Sequence, residues 1–421
     1  MSIRARMYPT PAQAEAMVVH CSHARFVWNL AVEQSNMWRR DRGPTPNLAV
    51  QMRQLSAARR EHPWLGAGSS VVQQAALRDF DRARQAWWGN PAHFSRPTWR
   101  KKGVHEGFVI RDLTVTKINH RWGTVLVPKV GAVKFRSTRP WAQIGAASSA
   151  RVTFKAGRWH VCLVTPPPVF DRKPTGAVTG IDRGVANTIA TSESVMGSIP
   201  GWTPGEQARY VVLQQQLARQ VKGSNRRAIT KGKIARLHQR LTDRRTDWIE
   251  QTTTALVREH DLIGIEALNT RGMVRKPAPK PDPENTGVFL PNGAKAKAAL
   301  NKAIHASCWG KFAKRLHDKA DHTPAGAKTL VVEVPARYTS QRCHHCGHTA
   351  PENRKSQAEF RCVDCGHKAN ADTNAAENIL SRAITLAAGQ AVDPKPKRRK
   401  VDGRNRGTTT TASTTREPAA A

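Results

Sequence analysis

The chain is short of acids. Against 68 Lys and Arg it sets 31 Asp and Glu over 421 residues, a formal net charge of +37. A surplus of that size repels itself unless a polyanion neutralises it, so the partner it points to is nucleic acid. Long apolar runs are also missing, and no basic amphipathic anchor replaces them, which leaves an anionic membrane surface unsupported as the partner. No signal peptide opens the sequence; Met1 to Tyr8 alternates basic and apolar residues as a strand does. Cysteine is scarce, with seven in all, and Cys21, Cys162 and Cys308 are scattered. That usage speaks against a disulfide framework and for a reducing compartment with metal binding. No period of solenoid length recurs. The length allows two or three domains with their own cores.

The remaining four cysteines organise the C-terminal part. Cys343 and Cys346 form one Cys-x-x-Cys knuckle, Cys362 and Cys365 a second, and each is followed by Gly-His. Four thiolates from two such turns give Zn²⁺ a closed tetrahedral shell, with no position left for substrate. The zinc is therefore expected to be structural. Seven residues on, Asp372 stands at the start of a helix marked by Ala376, Ile379, Leu380, Ala383 and Ile384. Taken alone, it reads as a helix N-terminal residue stabilising free N–H groups.

Taken in order, the chain starts with a strand at Ile3 to Tyr8. A helix follows from a Thr10-Pro11-Ala12-Gln13 cap and runs past Phe26, Leu30 and Ala31, with Trp28 and Trp38 among its residues. A second helix is expected from Ser69-Ser70 to about Trp88. Between Pro91 and Gly103 aromatics interleave with cations, which suits a nucleic-acid surface and equally a solvated basic loop. Arg78, Arg82, Arg100, Lys101 and Lys102 are the candidate contacts. Short β-type runs from Gly107 to Val169 suggest a small antiparallel barrel, and Pro166-Pro167-Pro168 with Pro174 marks a linker. Then come a strand bearing Asp182, a polar helical region from Gly205 to about Arg258, and a strand bearing Glu266. A mobile Pro-rich loop (Lys276 to Asn292), one helix (Asn301 to Ala320) and a strand at Thr329 to Val334 complete the approach to the knuckles. Beyond Gly389 the pattern is a disordered tail. Its Lys395–Lys400 cluster reads as an RNA-binding segment or as a nuclear-import-like signal.

Asp182 on a first strand, Glu266 on a later one and Asp372 at a helix start describe an RNase-H-like site. Such acids, drawn from distant positions, hold two Mg²⁺ ions about 4 Å apart on a phosphodiester. Carboxylates are needed because Mg²⁺ prefers hard oxygen ligands. Each acid alone has a bland reading, Asp182 bracing a turn and Glu266 pairing with an Arg.

Several blocks resemble the TnpB (OrfB) family, the transposon-associated RNA-guided DNA endonucleases related to the type V CRISPR effectors. They are Arg6–Gln13, His23–Ala31, Gly180–Val185, Gly264–Asn269, Arg337–Gln341 and Asn370–Leu380, with the knuckles between the last two. The resemblance implies that Asp182, Glu266 and Asp372 are the catalytic, magnesium-holding RuvC acids, and that the four cysteines hold structural zinc. It implies an α+β multidomain fold: a β-barrel wedge domain with an inserted helical recognition domain, then an RNase-H-like α/β RuvC nuclease domain with an inserted zinc ribbon. The boundaries would be a wedge strand at 1–12, recognition helices at 13–106, wedge barrel at 107–170 and RuvC-like domain at 171–336. The zinc module would span 337–371, the closing RuvC helix 372–388, and the basic tail 389–421. Arg183 departs from the pattern, since an aliphatic residue is common there.

The resemblance further implies a guide RNA from the transposon end and a DNA target, double- and single-stranded in turn. A short motif beside the target is read by the protein while base pairing reads the rest. The implied location is the bacterial cytoplasm, on the nucleoid. A miniature type V effector would share every motif. A non-cleaving RNA-guided repressor is opposed by the intact acids. A DNA-joining transposase lacks an obvious His-x-His, and the chain holds only three tyrosines.

Overall fold

The computed structural model describes residues 2–389 except 39, 40, 42, 105, 168, 169, 171 and 286; the expected basic tail lies outside the described residues from 390 onward. In strand β1 (Ser2–Tyr8), Ile3, Ala5 and Met7 point inward while Arg4 and Arg6 face out. Thr10 then starts α1 (Pro11–Asn36) with the expected reciprocal cap. Its hydroxyl accepts the Gln13 amide at 3.3 Å, and the Gln13 side chain accepts the Thr10 amide at 3.1 Å. Trp38 falls beyond the helix end and is exposed.

Two further helices were not expected from the sequence pattern, α2 (Leu48–Glu61) and α3 (Pro63–Ala67). In α2 Leu55 is buried and Leu48, Met52 and Ala58, at helical spacing from it, are partly buried against the same core, and Asn47 caps the helix by accepting the Val50 amide. Then α4 (Ser70–Gly89) packs along α1, with Phe80 edge-on to Trp28 at 5.5 Å.

Six more strands follow: β2 (Gly107–Ile110), β3 (Val115–Lys117), β4 (Trp122–Val127), β5 (Gly131–Arg136), β6 (Ser149–Lys155) and β7 (Arg158–Val164), with the short α5 (Trp141–Gly145) before β6. With β1 they form a seven-stranded antiparallel sheet in the order β2-β6-β7-β1-β5-β4-β3. The N-terminal strand is the hinge of this sheet. Ser2–Arg6 pair with β7, and Met7 and Tyr8 pair with β5. Among the described residues β2 and β3 end the ladder without pairing to each other, so no ring of hydrogen bonds closes the expected barrel. Both halves share one core with α1 and α4, which includes Phe108, Phe135, Val152 and Leu163.

The second half is built on β8 (Val178–Asp182), β9 (Ile189–Thr191) and β10 (Met196–Gly197), then the helices α6 (Pro204–Arg219) and α7 (Asn225–Glu259) and the strand β11 (Leu262–Ala267). After α8 (Thr270–Met273), the segment expected as a mobile Pro-rich loop carries a small ladder, β12 (Lys280–Pro281) with β13 (Phe289–Leu290). Asp282 ties its tip by accepting from the Glu284 amide and the Asn285 side chain. The single helix expected over Asn301–Ala320 is two, α9 (Ala294–Ser307) and α10 (Trp309–Ala320). Cys308, at φ 53°, breaks the run and turns Trp309 so that its indole donates to the Gly184 carbonyl at 3.1 Å. Next come β14 (Leu330–Pro335), the two-stranded β15 (Glu359–Arg361) and β16 (Lys368–Asn370), and α11 (Ala371–Ala387).

The second sheet has the order β10-β9-β8-β11-β14, with β8, β11 and β14 parallel and β9 and β10 antiparallel. Parallel strands need cover on both faces. Ile181, Ile263 and Ile265 pack against Ile249 and Leu256 of α7 and Phe312 and Leu316 of α10. The other face carries Gly180 and Gly264, which are partners across the β8–β11 ladder. A Cβ on Gly180 would stand 2.1 Å from the Ala376 carbonyl oxygen, and one on Gly264 would stand 2.7 Å from the Ala383 Cβ. Only hydrogens at both positions let α11 lie directly on the strand backbones.

Gly180→Ala and Gly264→Ala are each expected to destabilise this half by about 1–3 kcal/mol, because backbone atoms and a packed Cβ cannot move aside cheaply. Thermal unfolding of the full chain checks it. Unchanged melting in both variants would remove the close-approach argument.

Candidate acid cluster and zinc module

Side chains two residues apart on a strand share a face. Asp182 and Glu266 therefore follow Gly180 and Gly264 onto the α11 side, at the C-terminal ends of two neighbouring parallel strands. The sequence marks this twice, as Gly-Ile-Asp at 180–182 and Gly-Ile-Glu at 264–266. Asp372 arrives from the first turn of α11 and is buried. It is not the cap of that helix: the Asn370 side chain accepts the amides of Asp372 and Thr373 at 2.9 and 3.3 Å. The Asp372 carboxylate instead accepts from the Asn187 amide group at 3.1 Å and pairs with Arg354 at 3.3 Å.

The charges of the other two acids act on Asp182. Burial, then the charges of Glu266 and Asp372, push the Asp182 carboxyl up to about 7, with Arg354 opposing. Burial also holds Glu266 above the ordinary range, against the Thr339 hydroxyl and the charges of Arg183 and Arg382. Thr339, itself buried, reaches the Glu266 carboxylate at 2.7 Å. Crowded hard oxygen donors are what a divalent cation neutralises. The donor set thus fits Mg²⁺, though among the described residues its oxygens do not all converge within 4.8 Å as the cysteine sulfurs do.

Sequence reasoning singled out none of Asn187, Thr339 and Arg354 as a site residue. Thr339 lies within a quoted block, Arg337–Gln341, but nothing in linear spacing says that it reaches an acid 73 positions upstream.

The structure brings Cys343, Cys346, Cys362 and Cys365 together, with all four sulfurs within 4.8 Å of one another. The Cys343–Cys365 and Cys346–Cys362 separations are 3.8 and 3.6 Å. A tetrahedron of sulfurs about 2.3 Å from a zinc ion has edges of about 3.8 Å, so the cluster can hold zinc. The two knuckles repeat one backbone design. Cys343 N–H donates to the His348 carbonyl and Cys362 N–H to the His367 carbonyl, while Gly347 and Gly366 take φ of 80° and 75°, a region costly for other residues. The module is fastened to α11 by Asn374 and Asn378, whose side chains donate to the Arg342 carbonyl, and Asn378 donates also to that of Thr339.

The basic candidates separate into two groups. Arg100 is turned inward: its guanidinium lies 3.7 Å above the Trp28 ring and 4.0 Å from Asp79. Arg96 likewise covers Trp87 at 5.5 Å. Part of the interleaved cation–aromatic segment therefore serves the protein's own packing. Arg82 is exposed and bound to Asp79 at 2.7 Å, and the same carboxylate holds Arg151 of β6 at 2.5 Å. Arg78, Arg82 and Arg111 line a cleft of about 600 Å³ between α4 and the first sheet, together with Asp79, Asp81 and Asp112. Lys101 and Lys102 are exposed.

Comparison with known proteins gives a consistent assignment. Residues 160–276 match the family model described as "Probable transposase", 309–379 the "Cas12f1-like, TNB domain", and 1–43 a "Helix-turn-helix domain". That last region folds here as β1 and the single helix α1. The chain is 32% identical over 334 residues to the "Putative RNA-guided DNA endonuclease InsQ" of Escherichia coli K12, covering 79% of each chain. It is 28% identical over 400 residues to a "Putative RNA-guided DNA endonuclease" of Streptomyces pristinaespiralis, covering 93% of this chain and 91% of that one. The fold is similar to that of Cas12f1 in a cryo-EM complex with guide RNA and target DNA (TM-score 0.52, 13% identity, 87% of this chain and 82% of that one). No helix among the described residues is long and apolar enough to cross a membrane.

Two outcomes are expected. Cys343→Ser and Cys362→Ser should lose zinc and stability together, since binding energy at such a site is folding energy. Metal analysis with thermal unfolding tests this, and unaltered folding in both mutants would sink it. Arg100→Ala should lower stability by about 0.5–2 kcal/mol through the lost stacking on Trp28. Wild-type melting would return Arg100 to the list of free nucleic-acid contacts.

Proposed function

The chain belongs to the TnpB (OrfB) family of RNA-guided DNA endonucleases, and from that premise we propose that it binds a guide RNA encoded at a transposon end and cuts matching DNA by Mg²⁺-dependent hydrolysis. One observation carries the proposal: three acids separated by up to 190 positions lie where two in-register strands end and α11 begins, near enough for the charges of Glu266 and Asp372 to act on Asp182. The charge of +37 supports the nucleic-acid partners.

Asp182, Glu266 and Asp372 would hold the metal. Mg²⁺, when bound, supplies Lewis-acid stabilisation of the phosphodiester oxygens. The protein's own residues orient the acids. Thr339 fixes the Glu266 carboxylate, and Asn187 and Arg354 fix that of Asp372. Arg354, whose charge also reaches Asp182, would stabilise negative charge on a bound phosphate. The four cysteines would hold one structural zinc. In this reading the first sheet is the wedge domain, α1 to α4 the recognition helices, and the cleft beside Arg78, Arg82 and Arg111 a backbone contact for DNA or RNA.

A local match of 53% identity over 77 residues joins the chain to the Cas12f1 endodeoxyribonuclease of Sulfoacidibacillus thermotolerans, covering 18% of each chain. It does not favour a CRISPR repeat over a transposon-end transcript as guide. Sequencing the copurified RNA decides between them.

Asp182→Asn, Glu266→Gln and Asp372→Asn should each nearly abolish cleavage while leaving guided DNA binding intact, because pairing and phosphate contacts do not use these groups. Gel shift and cleavage on one guide-matched target measure both. Full cutting by any variant would remove that residue from the site, and tight binding without cutting by the wild type would mark a repressor. The protein should also purify with RNA whose affinity falls steeply with salt. An RNA-free protein with salt-insensitive binding would contradict the reading of its charge.

A further inference from the structure

The outer face of the first sheet carries a cluster that neither the acids nor the zinc module uses. Met7 of β1 and Val133 and Phe135 of β5 point into the core, so alternation turns Arg6, Tyr8, Lys134 and Arg136 outward. Trp122 of β4 joins them, because it is the ladder partner of Arg136, as Tyr8 is of Lys134. These side chains interlock. The Arg6 guanidinium lies 4.8 Å from the centre of the Tyr8 ring, Tyr8 meets Trp122 edge-on at 5.0 Å, and the Lys134 ammonium lies 4.4 Å over Trp122. Arg6, Tyr8, Lys134 and Arg136 are exposed and Trp122 is half-buried, so the face is open to solvent.

Arg136, and Arg121 just before Trp122, continue this face into a cleft of about 460 Å³ lined also by His120, Ser137, Thr138 and Arg139. No acid lines it, and no carboxylate among the described residues pairs with Arg121, Arg136 or Arg139. The cleft beside α4 differs, since Asp79, Asp81 and Asp112 stand among its arginines. Cations gathered without counter-charge repel one another, and a bound anion relieves that repulsion.

Rings beside a cationic groove suit an unpaired strand, whose bases stack on aromatic faces while its phosphates follow the charge. A duplex keeps its bases stacked inside and offers Tyr8 and Trp122 nothing to hold. We propose that the outer face of β1, β5 and β4, with the adjoining arginine cleft, binds an unpaired polynucleotide segment. Its bases lie on Tyr8 and Trp122, and its phosphates at Arg121, Arg136 and Arg139. The site is on the first sheet and the acids are on the second, so it goes beyond the proposed cleavage: it holds a strand without cutting it. RNA and opened DNA both supply such a strand.

The test uses the full chain, freed of copurified nucleic acid and kept without Mg²⁺, with oligouridine and oligothymidine about eight nucleotides long. Ultraviolet crosslinking with peptide mass spectrometry should place the strand on the peptides that hold Tyr8 or Trp122. Replacing both rings, Tyr8→Ala with Trp122→Ala, should weaken binding about tenfold and leave its salt dependence unchanged. Arg121→Gln and Arg139→Gln should each lower the slope of log affinity against log salt by about 0.7 and keep the crosslinks. Thermal unfolding checks every variant, and if the double variant fails to fold, Tyr8→Ala alone carries the ring comparison. A duplex of equal length should compete poorly. Crosslinks at neither peptide, wild-type affinity without the rings, unchanged salt slopes in both arginine variants, or a duplex that competes as well as the single strand would each overturn the inference. A preference for oligouridine assigns the strand to RNA, a preference for oligothymidine assigns it to opened DNA, and equal binding supports a site blind to the sugar. No cleavage is measured, so failure of the metal reading leaves this comparison standing.

Discussion

The second half of the molecule depends on a helix lying closer to a sheet than side chains permit. Gly180 and Gly264 face each other across two parallel strands, and neither has room for a methyl group under α11. Period-two alternation then sends Asp182 and Glu266 toward that helix, and the helix brings Asp372 in its first turn. The same contact that packs the layer therefore sets the spacing of the acids. Packing and chemistry are one constraint here, since any residue that pushes α11 away also pulls Asp372 from its partners.

The zinc module is the second support. It sits between β14 and α11 in the chain, and it touches the acids from two sides. Thr339, just before the first knuckle, holds Glu266, and Arg354, between the knuckles, holds Asp372. A zinc ion held by the four cysteines would fix loops whose side chains reach the carboxylates without itself touching them. Asn374 and Asn378 bind the module to α11, which makes ribbon and helix a single body at the edge of the site.

Much of this was legible in the sequence because it rests on short local signals. The knuckles, the Thr10 cap and the strand-borne acids each declare themselves within a few residues. Helix α2 carried a signal too, Leu48, Met52, Leu55 and Ala58 at helical spacing, and it was passed over. Other elements were hidden for physical reasons. The break between α9 and α10 depends on one left-handed residue, Cys308, a conformation that residue type does not advertise. Arg100 reads as a surface cation among other cations, yet Trp28, 72 positions upstream, takes it inside. Asp372 reads as a cap because helix starts favour acids, and only the structure reveals that Asn370 already has that role. Long-range partners decide such cases, and linear spacing carries no record of them.

The order of elements along the chain has a consequence for timing. A ribosome releases residues from the N-terminus, and domains fold as they emerge. Asp182 and Glu266 leave first, on strands whose glycine face is still bare. The cover for that face, α11, is the last described helix, and its third acid follows all four cysteines. A nascent chain therefore has the basic first half, able to meet RNA, well before it has a complete acid cluster. In such a protein guide capture can precede the capacity to cut, so competence arrives only once the zinc module and its helix have been added.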